Sequence, residues 1–179
     1  MYTKKIKNIA AFVCLLTCMT TTAAIAQMQA AVKIIPDYTH ETFIKNSPVK
    51  IWRVIRDLPK VKDYSNGTIT AVTINPGEDD KPPTRELTFS DGRKRTDEIE
   101  QVHESYKFFV FNVKEPRPQG VSRAVVTALV ESLPDKDDTS VVRWSIYLEG
   151  DKKVKKPLVD ELTKEIGQYE LGLKKLLDQ

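Results

Sequence analysis

Few side chains in this sequence could do chemistry. Histidine occurs twice, at His40 and His103, and the two cysteines, Cys14 and Cys18, both lie near the N-terminus. Two distant histidines fall short of any zinc spacing signature, so neither a metal site nor a cofactor is expected. His103 falls near an expected turn and reads as a solvated side chain. No serine sits in a G-x-S-x-G turn, so nucleophilic catalysis has no motif to carry it. The pair with the most chemical content is Arg85 and Glu98. They flank Asp91-Gly92, a dipeptide that favours a two-residue type I′ hairpin because it tolerates positive φ at both positions. If Ser90 pairs with Arg93, Arg85 lies opposite Glu98, Leu87 opposite Thr96, and Phe89 opposite Lys94. Arg85 and Glu98 then share one face with Leu87 and Phe89. An arginine on an apolar face needs a partner, and a facing carboxylate supplies one. Two readings stay open. One is a structural ion pair at the sheet edge. The other is a polar handle in a ligand pocket, since pockets combine apolar walls with a few placed polar groups. Acid–base work by this pair and a tyrosine is a weaker fit, because a neighbouring arginine lowers the proton affinity that a general acid needs. No catalytic residue is assigned.

The elements that must position this pair follow from periodicity and punctuation. Val32 to Ile44 has β-type composition interrupted by Pro36, which suits an irregular edge strand. Asn46-Ser47-Pro48 starts a helix: Ser47 can cap it and Pro48 takes the first helical position. Val49, Trp52 and Ile55 follow at helical spacing, with Trp52 and Phe43 expected in the core. Asp57-Leu58-Pro59 breaks the helix, and one further turn is expected from Val61 to Tyr64. Strands are expected at 68–74, 84–90, 93–103, 106–113, 121–133 and 139–149. The loops between them include an acidic stretch at 77–80 and the proline-rich Pro116–Gly120. Pro157 is expected to open a final helix. Its apolar stripe is Leu158, Leu162, Ile166, Tyr169, Leu173, Leu176 and Leu177, with Glu161, Lys164, Glu165, Lys174 and Lys175 on the other side. Strands grouped this way imply an α+β fold with an antiparallel sheet and helices on one face.

Alternation then assigns faces. Ser122, Ala124, Val126, Ala128 and Val130 are expected inward on one strand, and Val142, Trp144, Ile146 and Leu148 on the next. The first set is small. Small inward residues opposite a leucine-rich helix leave room for a cavity. The facing of Tyr106, Phe108 and Phe109 stays open, because His103-Glu104-Ser105-Tyr106 allows more than one turn length.

The N-terminus has a separate signature. Lys4, Lys5 and Lys7 precede an apolar run from Ile9 to about Met19, and Ala24-Ile25-Ala26 matches a signal-peptidase site. Residues 1–26 are therefore expected to be a signal peptide, residues 27–31 a lead-in, and 32–179 one domain, periplasmic or secreted. An uncleaved anchor and a lipid anchor at Cys18 are the competing readings. Those three lysines account for the formal charge of +3, so the rest of the basic residues balance the 25 acidic ones. That balance gives no footprint for nucleic acid. No segment after the leader is long and apolar enough to span a membrane.

Taken together, these pieces resemble the START/Bet v 1-like superfamily, in particular its bacterial polyketide cyclase/dehydrase and lipid-transport branch. The resemblance rests on Ser47-Pro48-x-x-x-Trp52, Asp57-Leu58, Arg85-x-Leu87 before Asp91-Gly92, and Glu98-Ile99. It continues through Tyr106-x-Phe108, Pro116-x-Pro118, Trp144 and Gly172-Leu173…Leu176. It implies a helix-grip fold, in which a curved antiparallel sheet of about seven strands wraps around a long C-terminal helix, with two short helices after the first strand. It also implies an apolar cavity between sheet and helix. The residues expected to line that cavity are Arg85, Leu87, Glu98, Tyr106, Phe108, Ala124, Val126, Trp144, Ile166 and Tyr169. The expected role is an exported protein binding a hydrophobic small molecule or lipid. The alternatives are a cyclase- or dehydratase-type enzyme and an accessory protein docking on another exported protein.

Overall fold

The computed structural model describes residues 34–78, 80–134 and 138–178. The chain divides into two units, Met1–Ile35 and Pro36–Gln179. The expected signal peptide, its cleavage after Ala26, the lead-in at 27–31 and the lipid anchor at Cys18 lie outside the described residues. All the described strands and helices belong to the second unit.

Strand β1 (Tyr38–Ile44) leads into α1 (Pro48–Ile55), a 3₁₀ turn (Leu58–Lys60) and α2 (Val61–Tyr64). Six strands follow: β2 (Ile69–Asn75), β3 (Thr84–Phe89), β4 (Lys94–His103), β5 (Phe108–Glu115), β6 (Val121–Ser132) and β7 (Ser140–Gly150). Helix α3 (Lys152–Leu177) closes the chain. All strands pair antiparallel in the order β1-β7-β6-β5-β4-β3-β2, so β1 is an edge strand as its proline-marked start suggests. This is the α+β helix-grip architecture: one seven-stranded sheet against a long C-terminal helix, with two short helices after the first strand.

Local sequence explains most boundaries. The Ser47 side chain caps α1 by accepting from Lys50 N, and Pro48 sits in the first turn. Ile51, Trp52 and Ile55 are buried, whereas Val49 and Phe43, expected on apolar faces, are exposed. Helix α3 begins before Pro157, not at it. Asp151 caps it by accepting from Lys153 N at 2.8 Å, and the lysine run forms its first turn. A favourable cap outweighs a proline near the helix start.

Helix α3 is held to the sheet at both ends. Near its start, Lys155 Nζ lies 2.6 Å from Asp37 Oδ1, and Asp37 Oδ2 accepts from Leu148 N. At its end, Asp178 accepts from Lys45 N and the Leu177 carbonyl accepts from Asn46 Nδ2. Midway, Glu170 lies 2.5 Å from both His40 Nε2 and Lys174 Nζ. Close packing requires glycine at one point: a Cβ on Gly172 would run into the Tyr64 carbonyl at the end of α2.

These contacts have measurable consequences. Gly172→Ala forces backbone apart and is expected to cost about 1–3 kcal/mol in urea unfolding, as overpacking does; a change within error would remove the contact. Burial alone would raise the Glu170 carboxyl, but its hydrogen bonds from Lys174 and His40 outweigh that and hold it below its ordinary value. A depressed carboxyl contributes stability at neutral pH that is lost as pH falls through its folded-state value. Glu170→Gln should therefore lose less stability than the parent between about pH 5 and about pH 3. Parallel urea midpoints across that range would refute the clamp.

Candidate functional site

The β3–β4 hairpin sets the site, and its register differs from expectation by one residue. Phe89 N donates to Arg93 O at 2.8 Å, so the loop is Ser90-Asp91-Gly92. Only Gly92 takes positive φ, at 85°. This is a three-residue loop with glycine in the left-handed region, which Asp-Gly serves as well as a two-residue turn. The slip changes every partner. Arg85 pairs with Asp97, Leu87 with Arg95, and Glu98 with Thr84. The inward face of these strands thus carries Arg85, Leu87, Phe89, Arg95, Asp97 and Ile99, all buried. Glu98 points to the other face, where Lys114 Nζ lies 3.1 Å away. It is not a partner of Arg85, and the Arg85–Glu98–tyrosine acid–base set is not assembled.

The inward charges form a cluster joining sheet to helix. Asp97 accepts from Arg85 Nε at 3.0 Å and from Arg95 Nε at 2.8 Å. Arg95 then reaches α3, where Nη1 and Nη2 lie 2.5 and 2.7 Å from the two Glu165 oxygens. Tyr169 OH also donates to Glu165. The amphipathic pattern puts Glu165 on the solvent side of α3, yet it is buried. Its position is readable from spacing, because residues 158, 162, 165, 169 and 172 alternate steps of four and three along one helix face. Aromatic rings line the cluster. The Arg85 guanidinium carbon sits 4.4 Å from the Phe111 ring centre and 5.4 Å from that of Phe109. Tyr169 packs against Tyr64 at 5.3 Å and Trp144 at 5.6 Å.

Electrostatics follow from this burial. Burial pushes the Tyr64 hydroxyl up to about 12, against the opposing charge of Arg85. Tyr169 is raised well above its ordinary value by burial and then by Glu165. Burial opposes the charge on Arg95, but Asp97 and Glu165 outweigh it, so Arg95 stays protonated. The same balance with Asp97 keeps Arg85 charged.

Of the ten expected lining residues, Arg85, Leu87, Ala124, Val126, Trp144, Ile166 and Tyr169 are buried on the inward side. Tyr106 is 71% exposed in the β4–β5 turn. Phe108 begins β5 on the opposite face, because Phe109, Phe111 and Val113 are the inward residues there. Ser122 is exposed, since an irregularity between Val121 and Arg123 shifts the alternation. The small residues do not enclose a space. Ala124, Val126, Ala128, Trp144, Ile166 and Tyr169 each expose at most 1%, and a water-sized void against them would leave accessible surface. Trp144, Tyr169, Phe109 and Phe111 fill the room that the alanines leave.

Open space between sheet and helix lies instead at the hairpin end. A cleft of about 410 Å³ is lined by Phe89, Arg93, Lys94, Arg95, Pro116, Leu158 and Glu161. A second, of about 580 Å³, continues along Arg95, Thr96, Pro116 and Arg117. A third, of about 200 Å³, borders Phe89 and Glu165. Arg93, which stacks on Phe89 with 5.0 Å between guanidinium carbon and ring centre, reaches across to Glu161 on α3. Among the described residues, no three His, Cys, Asp or Glu side chains converge as a metal site. No helix among them is long and apolar enough to cross a membrane.

No family model matches the chain, and no curated protein sequence matches it. Solved structures do. The protein XoxI from Bacillus cereus superposes with a TM-score of 0.66 at 18% identity, over 78% of this chain and 94% of that one. An uncharacterised protein from Bacillus thuringiensis gives 0.66 at 17%, over 79% and 98%. Norcoclaurine synthase from Thalictrum flavum, in complex with dopamine and hydroxybenzaldehyde, gives 0.61 at 19%, over 78% and 84%. These likenesses establish the fold, the helix-grip architecture described above.

The charge cluster makes a prediction that separates buried from exposed pairs. Glu165→Leu leaves Arg95 and Arg85 sharing one carboxylate and should cost about 3–5 kcal/mol in chemical denaturation. Glu161→Gln, which breaks the exposed pair with Arg93, should cost about 1 kcal/mol or less. Equal costs would show that the cluster is not the tie between helix and sheet.

Proposed function

We propose that this chain is an exported binding protein that takes a hydrophobic small molecule or lipid between sheet and C-terminal helix, entering at the hairpin end. One observation carries the reading: the cleft of about 410 Å³ formed by Phe89, Pro116 and Leu158 with a rim of Arg93, Lys94 and Glu161. Its size falls within the usual range for small-molecule pockets, and it pairs apolar walls with a few charged groups. Norcoclaurine synthase, of similar fold, was solved with dopamine and hydroxybenzaldehyde, which supports a small organic ligand. Export rests on the leader sequence alone. The cyclase or dehydratase reading loses its proposed acid, because Glu98 faces away from Arg85.

A neutral fluorescent probe, N-phenylnaphthylamine, tests the reading. The parent should bind it with enhanced emission. Leu158→Trp, which fills the cleft, should weaken binding about tenfold or more, the effect of blocking an apolar pocket, with unchanged far-ultraviolet circular dichroism. Failure of the parent to bind, or equal binding by the variant, would reject the cleft as the site.

A further inference from the structure

The cations that line the two larger clefts at the hairpin end are Arg93, Lys94, Arg95 and Arg117, against the carboxylates of Glu115 and Glu161. Most of these cations are already matched. Arg93 pairs with Asp91 and Glu161, Lys94 with Glu86, and Arg95 with Asp97 and Glu165. Arg117 differs. It is half-buried, yet no carboxylate among the described residues pairs with it. Its hydrogen bond among them runs from Nη1 to the Val113 carbonyl, at the long distance of 3.5 Å. Pro116 and Pro118 flank it, and their fixed φ stiffens the loop that carries it. An arginine held in a stiff loop has less freedom to lose on binding. The two clefts are continuous, because Lys94, Arg95 and Pro116 line both. Their other walls differ. The cleft of about 410 Å³ has Phe89 and Leu158, whereas that of about 580 Å³ has Thr96, Glu115 and Arg117. An apolar space thus opens past Pro116 into a polar one that holds an unmatched guanidinium.

We infer that the ligand is an anionic amphiphile: its apolar part lies against Phe89, Leu158 and Pro116, and its carboxylate or phosphate head pairs with Arg117. The inference rests on the binding reading above and names the chemistry of its ligand. A guanidinium offers parallel N–H donors to either head, and such charge-assisted pairs are stronger than neutral hydrogen bonds. Lys94 adds a second cation, since its pair with Glu86 is exposed and weak enough to exchange. Arg95 is held by its own carboxylates and takes no part. Glu115 acts against the head. It lines the same cleft, has no ion pair among the described residues, and competes for Arg117. A neutral head would gain no charge pairing there, and a cationic one would be repelled.

Decanoate, decyl phosphate and decanol share one chain and test this, titrated calorimetrically at neutral pH into the full chain, below micelle-forming concentrations. At least one of the anions should bind the parent about fivefold or more tighter than decanol, the worth of a charged hydrogen bond partly open to solvent. The tighter anion identifies the head group. Arg117→Gln should bring that anion to within about twofold of decanol. Glu115→Gln should tighten it about twofold, because the competing carboxylate is gone. Leu158→Trp, which fills the apolar part, should weaken all three probes. Circular dichroism checks that each variant folds. Decanol binding as tightly as both anions would overturn the inference while leaving the cleft intact. So would an anion preference that survives Arg117→Gln, anions bound no tighter by Glu115→Gln, or anions unaffected by Leu158→Trp. Binding of none of the three would remove the cleft reading, and this inference with it.

Discussion

The rest of the structure depends on a bridge of opposite charges that crosses from sheet to helix through an otherwise apolar layer. Arg95 lies on β4 and Glu165 on α3, and their paired contacts, backed by Asp97, fix how the helix lies across the curved sheet. Such a pair is expensive to bury and weak as a source of net stability, but breaking it on one side is costly. That asymmetry gives it a role apolar packing cannot fill. Leucines can slide along a sheet face with little penalty, whereas a guanidinium locked to two carboxylates tolerates one register. Phe89, Phe109, Phe111, Tyr64, Trp144 and Tyr169 then pack around the bridge and bury most of it.

This arrangement shows how a helix-grip layer can be filled and still leave room at one end. Over β6 and β7 the large aromatic side chains close on the alanines, and the layer is dry. Toward the β3–β4 hairpin the walls become Phe89, Leu158 and Pro116, with charged residues at the rim. The sheet therefore has a sealed half and an open half, with the charge bridge at the boundary between them.

Much of this is legible in the sequence, and the parts that are not have particular causes. The succession of elements along the chain, the Ser47–Pro48 helix start and the apolar stripe of α3 come from periodicity and capping. The face of Arg85 is legible too. Its partner is not, because Asp-Gly suits both a two-residue turn and a three-residue loop, and one extra residue exchanges Glu98 for Asp97. Glu165 is hidden by its chemistry: a carboxylate on an amphipathic helix reads as solvated, although its spacing from Leu162 and Tyr169 puts it on the buried stripe. The volume of the interior is beyond alternation altogether. Small residues on one strand say nothing about the size of those that face them from α3, β5 and β7.

The anchoring of α3 at Asp37–Lys155 and at Lys45–Asp178 limits how anything could get inside. A beam fixed at both ends does not swing like a door. The clefts lie beside it instead, against the hairpin and the proline-rich loop, while the long helix keeps its place as the fixed jamb.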